Sequence, residues 1–246
     1  MTCSEAIRQS AVLGSASASG REALAAFGCL KKYGRGEHIF RDKEEASALY
    51  FLVEGMASLY KINSLGEKKV IFAYGPGNLL NEEMLQNLPA SVSCEAKENS
   101  LVFMIPRERL WTVMERDPAL TRAVVQSMAL KIRRLYRQLK NTTNALSGEK
   151  RLAAKLFKLG RDYGVETEKG TLIDMNLSIT YLADMLGSKR ETVSRQAKKL
   201  TELQLISMEK NHVSIPDMEK LREYFKQPRW KSRHFLCVSA IVKILT

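Results

Sequence analysis

Residues 178–203, SITYLADMLGSKRETVSRQAKKLTEL, can fold in few ways. Leu182, Met185 and Leu186 recur at helical spacing and give a first helix one apolar face. Gly187 follows them, and glycine ends helices because it accepts positive φ without a Cβ clash. Ser188 can cap a second helix, in which Val193, Ala197 and Leu200 form the apolar stripe. The spacing predicts two short helices meeting at a sharp corner. The second exposes Lys189, Arg190, Glu191, Thr192, Ser194, Arg195, Lys198 and Lys199. Arginine can bond O6 and N7 of guanine together, glutamate can accept from cytosine N4, and lysine can neutralise phosphate. A helix carrying all three suits the DNA major groove.

Local chemistry alone leaves a second reading open. Glycine corners join many helix pairs, basic faces are often only solvated, and Ser188 with Glu191 also fits an S-x-x-E capping box. Charge tips the balance. The net charge is +12 over 246 residues, which favours a polyanionic partner. The segment RETVSR, Arg190 to Arg195, is followed by Lys198, Leu200, Leu205 and Ile206. It closely resembles the recognition helix of the Crp/Fnr family of bacterial transcription regulators.

The rest of the chain extends that resemblance from about residue 31 to residue 225. Short β-rich runs at 38–40, 48–53, 57–62, 69–74 and 100–105 alternate with glycine turns, which predicts a sandwich or barrel. The phrases LYFLVEGMASLY and YGPGNLL resemble the family's sensory β-roll, a cyclic-nucleotide-binding fold, and GRGEHIF fits its first turn. In nucleotide-binding relatives a G-E pair meets the ribose, and an R-S or R-T pair holds the cyclic phosphate. Here Asn81 precedes Glu82, and Ala90-Ser91 stands at the arginine position. No arginine lies between Arg41 and Arg107, so a bidentate phosphate clamp is absent from this stretch. The same region is apolar and sulfur-rich. Leu79, Leu80, Met84, Leu85, Leu88, Val92 and Cys94 fit plain core and fit equally a pocket for an apolar or aromatic small-molecule effector. Candidate pocket residues are Leu79, Leu80, Glu82, Met84, Leu85, Val92, Cys94 and Met128.

A short helix is expected over 107–116, with Leu110, Trp111, Val113 and Met114 packed on the roll, and a long one from Pro118 to about 144. Val125, Met128, Ile132, Leu135, Leu139, Thr142 and Leu146 alternate spacings of three and four, the seam of a coiled coil. Lys131, Arg133, Arg134, Arg137 and Lys140 occupy the back. Such a seam calls for a second copy, and the family's dimerisation helix matches a homodimer. Residues 141–148 are polar and hold the expected hinge. An amphipathic helix over 149–163, a strand at 171–175, a helix capped by Ser178, a hairpin turning at Lys210–Asn211 and a closing helix over 217–225 together read as a winged helix. Ser178 also joins the candidate DNA contacts. Residues 1–28 read as helical, and residues 231–246 are apolar without an assigned role.

These expectations define an α+β chain. A β-roll occupies 1–117, a dimerisation helix and hinge 118–146, a winged helix-turn-helix 147–228 and an unassigned tail 229–246. The family resemblance implies a transcription regulator, not an enzyme, acting as a dimer on inverted repeats with TGTGA-type half-sites. Arg190 and Arg195 would read guanine and Glu191 cytosine, while Lys189, Thr192, Lys198 and Lys199 would hold phosphates. An effector other than a cyclic nucleotide would control it, and contact with RNA polymerase would make it an activator. Redox or haem sensing stays an alternative through Cys94 or His38, although the family's N-terminal cysteine cluster is missing. A coiled-coil adaptor is a rival of another class. The four cysteines are scattered and the three histidines lie in separate segments, so neither metal nor cofactor is expected. No secretory signal or membrane-spanning run is expected, and the cytoplasm is the expected compartment.

Overall fold

The computed structural model describes residues 1–45, 47–143 and 147–226, with backbone alone for 139–143. The chain divides into two compact units, the first being Met1–Thr143. Leu146, the 231–246 tail, and the side chains of Leu139, Lys140 and Thr142 lie outside the described residues, as do residues 144–146 of the expected hinge.

The first unit is built around strands whose two faces are both buried. Strand β3 (Ala48–Glu54) lies beside β7 (Ser100–Pro106), and β1 (Cys29–Tyr33) closes the other edge of an antiparallel three-stranded sheet. Leu49, Phe51 and Val53 of β3 enter one core, while Tyr50 and Leu52 enter another. Phe103 and Ile105 of β7 join the first core and Val102 the second. Burial on both sides explains why these segments are continuous apolar runs without alternation. A four-stranded antiparallel sheet, β2 (His38–Phe40), β6 (Ser93–Ala96), β4 (Ala57–Ile62) and β5 (Lys68–Tyr74), covers the second core. Gly55 makes the β3–β4 turn at φ 84°, where a Cβ would stand 2.6 Å from the Asn99 carbonyl oxygen.

Helices α1 (Cys3–Gln9), α2 (Ala18–Phe27), α3 (Arg107–Arg116) and the start of α4 (Pro118–Thr143) bury the first core. Thr2 and Glu5 form a reciprocal capping box that starts α1. Leu110, Val113 and Met114 of α3 pack inward, whereas Trp111 is more than one-third exposed. Strands β1 and β6 were not expected. Lys31, Lys32, Glu95 and the shortness of β6 hide their strand character, and ladder pairing with β7 and β4 supplies it.

One carboxylate ties two helices. Asp117 Oδ1 accepts from the amides of Ala119 and Leu120 at the start of α4, both at 3.1 Å. Its Oδ2 accepts from the Ser17 amide at 2.7 Å and the Ser17 hydroxyl at 2.8 Å, just before α2. Burial raises the Asp117 pKa, but the hydrogen bonds from Leu120, Ser17 and Ala119 outweigh it and hold the carboxyl below its ordinary value of 3.8.

The second unit carries α5 (Gly148–Tyr163), β8 (Gly164–Thr167), β9 (Gly170–Ile173), α6 (Ile179–Leu186), α7 (Arg190–Glu202), β10 (Ser207–Glu209), β11 (His212–Ile215) and α8 (Met218–Lys226). Its strands form one antiparallel sheet in the order β10, β11, β9, β8. Leu152, Ala153 and Leu156 of α5, Leu182 of α6, and Val193 and Leu200 of α7 share its interior with Ile173, Val213 and Ile215.

Replacing Asp117 by alanine should cost about 2–3 kcal/mol, the sum of a lost helix cap and a lost buried hydrogen-bond acceptor. Because the folded pKa is depressed, the charge-dependent part of that contribution is complete above the ordinary carboxylate pKa and is lost as pH falls through the depressed folded value. Urea melts should therefore separate the two proteins most at pH 7 and less once the pH falls below the ordinary carboxylate range.

Candidate functional site

The helix corner forms as its chemistry dictates, with one difference. Ser178 Oγ accepts from the Tyr181 amide at 3.1 Å and starts α6. Gly187 ends it in the left-handed region, at φ 59°. The Ser188 amide then returns to the Ala183 carbonyl at 3.1 Å. The N-cap of α7 falls one residue on, at Lys189, without a side-chain cap bond. The expected capping box of Ser188 with Glu191 does not form. Glu191 is exposed, with no hydrogen bond or ion pair to another described residue.

Helix α7 has two opposed faces. Val193, Ala197 and Leu200 are buried. At 3.6 residues per turn, Arg190, Ser194, Lys198, Glu191 and Arg195 fall within an arc of about 140° on the other side. All five are exposed, and Arg190, Glu191 and Arg195 have no partner among the described residues. Lys198 stands 4.0 Å from Glu202, one helical turn on. The flank differs. Thr192 is half-buried, and Lys199 pairs with Glu149 of α5 at 2.5 Å, a hydrogen bond that raises the lysine pKa. Lys199 thus clamps α7 to α5, a tie with no sequence signal because 50 residues separate the partners.

The wing forms as a tight hairpin. β10 and β11 pair antiparallel, and Lys210 and Asn211 turn between them at φ 46° and 68°. Two successive positive φ values give the primed turn that matches strand twist. The Asn211 carbonyl accepts from the Leu177 amide at 2.7 Å, which fixes the wing to the approach of α6.

In the first unit the expected effector residues divide between two packed cores. Leu79, Leu85 and Met128 belong with the helix-side core, and Leu80, Met84, Val92 and Cys94 with the core between the sheets. Glu82 is buried in an ion pair with Lys131. Asn81, at the position of the family's glycine, is fully buried. Its side-chain oxygen accepts from the Tyr50 amide and its side-chain nitrogen donates to the Ala48 carbonyl, each at 2.9 Å. Ala90 is buried and offers no charge. The charge that a cyclic phosphate would meet at this position in nucleotide-binding relatives is therefore missing.

Met128 also turns away from the expected seam of α4. Val125, Ile132 and Leu135 remain exposed, and Ala129 and Tyr136 join them on the surface. The exposed stripe is Val125, Ala129, Ile132 and Tyr136, within an arc of about 60°. Leu135 falls about 60° outside this arc, at the angle of Val124 and Met128, yet is exposed. Lys131, expected on the charged back, faces the roll.

Cys94 is fully buried, and burial pushes its thiol far above the ordinary range, away from redox reactivity. His38 Nε2 lies 2.7 Å from the Tyr60 hydroxyl, and burial holds the ring below its usual pKa. Among the described residues no helix is long and apolar enough to cross a membrane, and no three His, Cys, Asp or Glu side chains cluster for a metal.

A Gly187→Ala change should cost about 1–2 kcal/mol, because a Cβ is disfavoured at left-handed φ. The expected result is a lower urea midpoint for the second unit, measured beside the unmodified protein.

Known proteins match both units. Residues 30–117 match the family model of the cyclic nucleotide-binding domain, and residues 150–224 that of the Crp-like helix-turn-helix domain. The anaerobic regulatory protein of Pasteurella multocida is 23% identical over 193 residues, which cover 78% of this chain and 70% of that protein. The global nitrogen regulator of Synechococcus elongatus is 25% identical over 202 residues, 80% of this chain and 89% of that one. The structure of FixK2 from Bradyrhizobium japonicum shares the fold, with a TM-score of 0.71 at 20% identity over 80% of this chain and 96% of that one. A cyclic-nucleotide-binding-type roll followed by a Crp-like helix-turn-helix, each matched in its own segment, places the chain in the Crp/Fnr family of transcription regulators.

Proposed function

We propose that the chain is a sequence-specific regulator that binds inverted repeats as a homodimer, with half-sites of the TGTGA type. The observation that carries this reading is the free outer face of α7. Arg190, Glu191 and Arg195 stand exposed and unpaired on a helix whose other face is locked by Val193, Ala197 and Leu200. A surface helix has no structural need for two unpaired arginines and a glutamate on one face, whereas base edges in the major groove do use them.

In this reading Arg190 and Arg195 bond guanine and Glu191 accepts from cytosine. Lys189, Ser194 and Lys198 hold the phosphates that set register, and Ser178 can donate its hydroxyl to one while its oxygen caps α6. Lys199, held by Glu149, contributes through the position of α7 and through its charge. The net charge of +12 speeds association with DNA.

The stripe Val125, Ala129, Ile132 and Tyr136 supports pairing through α4. A row of exposed apolar side chains on a 26-residue helix is covered most simply by the same row of a second copy. Two-fold pairing then sets the half-sites about 34 Å apart, one turn of DNA. Such a dimer would act in the cytoplasm, where a promoter and RNA polymerase are both within reach, and touching polymerase would make it an activator. The controlling effector is not a cyclic nucleotide, as Asn81 and Ala90 support. An apolar effector would have to open packed side chains to enter.

Selection from randomised duplexes should return a two-fold motif with guanine and cytosine in each half. Arg190→Ala should lose preference at one base pair, about 1–3 kcal/mol, and leave random-sequence binding nearly intact. Lys198→Ala should weaken every sequence alike and flatten the salt dependence. Equal losses on specific and random DNA for both variants would sink the assignment.

A further inference from the structure

Helix α4 meets the roll at one buried charge pair. Lys131 comes from its inward face, and its side chain is 14% exposed. The ammonium lies 3.4 Å from the carbonyl oxygens of Leu79 and of Leu80, and it pairs with Glu82, whose side chain is 5% exposed. Three N–H groups thus face three acceptors, and the Tyr74 ring lies 5.1 Å away. The acceptors all belong to the segment that leads into the 3-10 turn Glu82–Gln86. Burial also pushes the neighbouring Glu83 carboxyl up from its ordinary value, while Glu82 is the carboxylate that pairs with Lys131. At the start of the turn the Asn81 side-chain amide fixes the segment to β3.

We propose that the Lys131–Glu82 pair is an internal latch, fixing α4 to the Glu82–Gln86 turn from within the chain, so that no cyclic nucleotide is needed to join them. The turn is the place where the roll of a nucleotide-binding relative presents its glutamate to a ligand. Here the helix itself delivers the cation that pairs with Glu82 Oε2. A latch of this kind holds only while both partners are present, because removing either strands a buried charge. Gln138, which donates to the Ile71 carbonyl at 2.9 Å, is a second tie that keeps α4 near the roll when the latch is open. The consequence for operator binding rests on the regulator reading given above, whereas the latch itself can be read without DNA.

Amide hydrogen exchange along residues 118–138 tests it in the full-length protein. Glu82→Gln keeps the shape of the side chain and removes its charge, and Lys131→Met keeps the stem. Each should raise exchange in α4 about tenfold or more, while the amides of β4 and β6 hold. The double variant should add less than about twofold to either single change, as coupled partners do. Millimolar cAMP or cGMP should leave α4 exchange in the unmodified protein unchanged. Protection of α4 that survives Glu82→Gln, independent effects of the two changes, or a nucleotide that raises α4 protection about tenfold would each overturn the latch. Operator affinity measured beside it separates the two readings. An unmodified protein that binds no duplex refutes the DNA assignment, and the exchange data still decide the latch.

Discussion

A helix can bury only one stripe against a single neighbour, and α4 carries two. Leu120, Val124, Met128 and Lys131 face the roll, while Val125, Ala129, Ile132 and Tyr136 look outward. The two stripes lie about 120° apart around the axis. Everything the first unit does at its surface depends on that division. The inner stripe is fixed by a sheet that is itself buried on both faces, so α4 cannot rotate to hide its outer stripe without emptying the helix-side core. The outward row is therefore an obligation of the fold.

Much of this was legible in the chain, for identifiable reasons. Runs such as LYFLV announced strands, Gly187 announced the corner, and Lys210-Asn211 announced the wing turn. Each is a local signal with a local cause. What escaped depends on contacts distant in sequence. Spacings of three and four cannot tell a seam at 125, 128, 132 and 135 from one at 125, 129, 132 and 136, because both satisfy helical periodicity. Only the roll decides that Met128 turns inward. Lys131 looked like one more solvated cation until Glu82 was found opposite it, and Lys199 until Glu149 was. Ser188 had the chemistry of a cap, yet its amide was claimed by α6.

The helix-turn-helix shows the complementary case. Its reading face could be listed from sequence because exposure there follows from the buried face: once Val193, Ala197 and Leu200 are inside, the arc opposite them is outside. The effector residues could not be handled so. Their apolar character fits core and pocket alike, and the structure assigns them to two cores with Glu82 committed to a lysine.

Asn81 bears on how such a roll can change over generations. Its side chain behaves as a piece of strand, supplying β3 with an acceptor and a donor that glycine lacks. A step back to glycine would leave the Tyr50 N–H and the Ala48 carbonyl unanswered in the interior, with nothing gained until an arginine also replaced Ala90 and Lys131 let go of Glu82. The turn therefore resists single changes: each one toward a ligand site first gives up an internal contact, and the gain arrives only when several are made together.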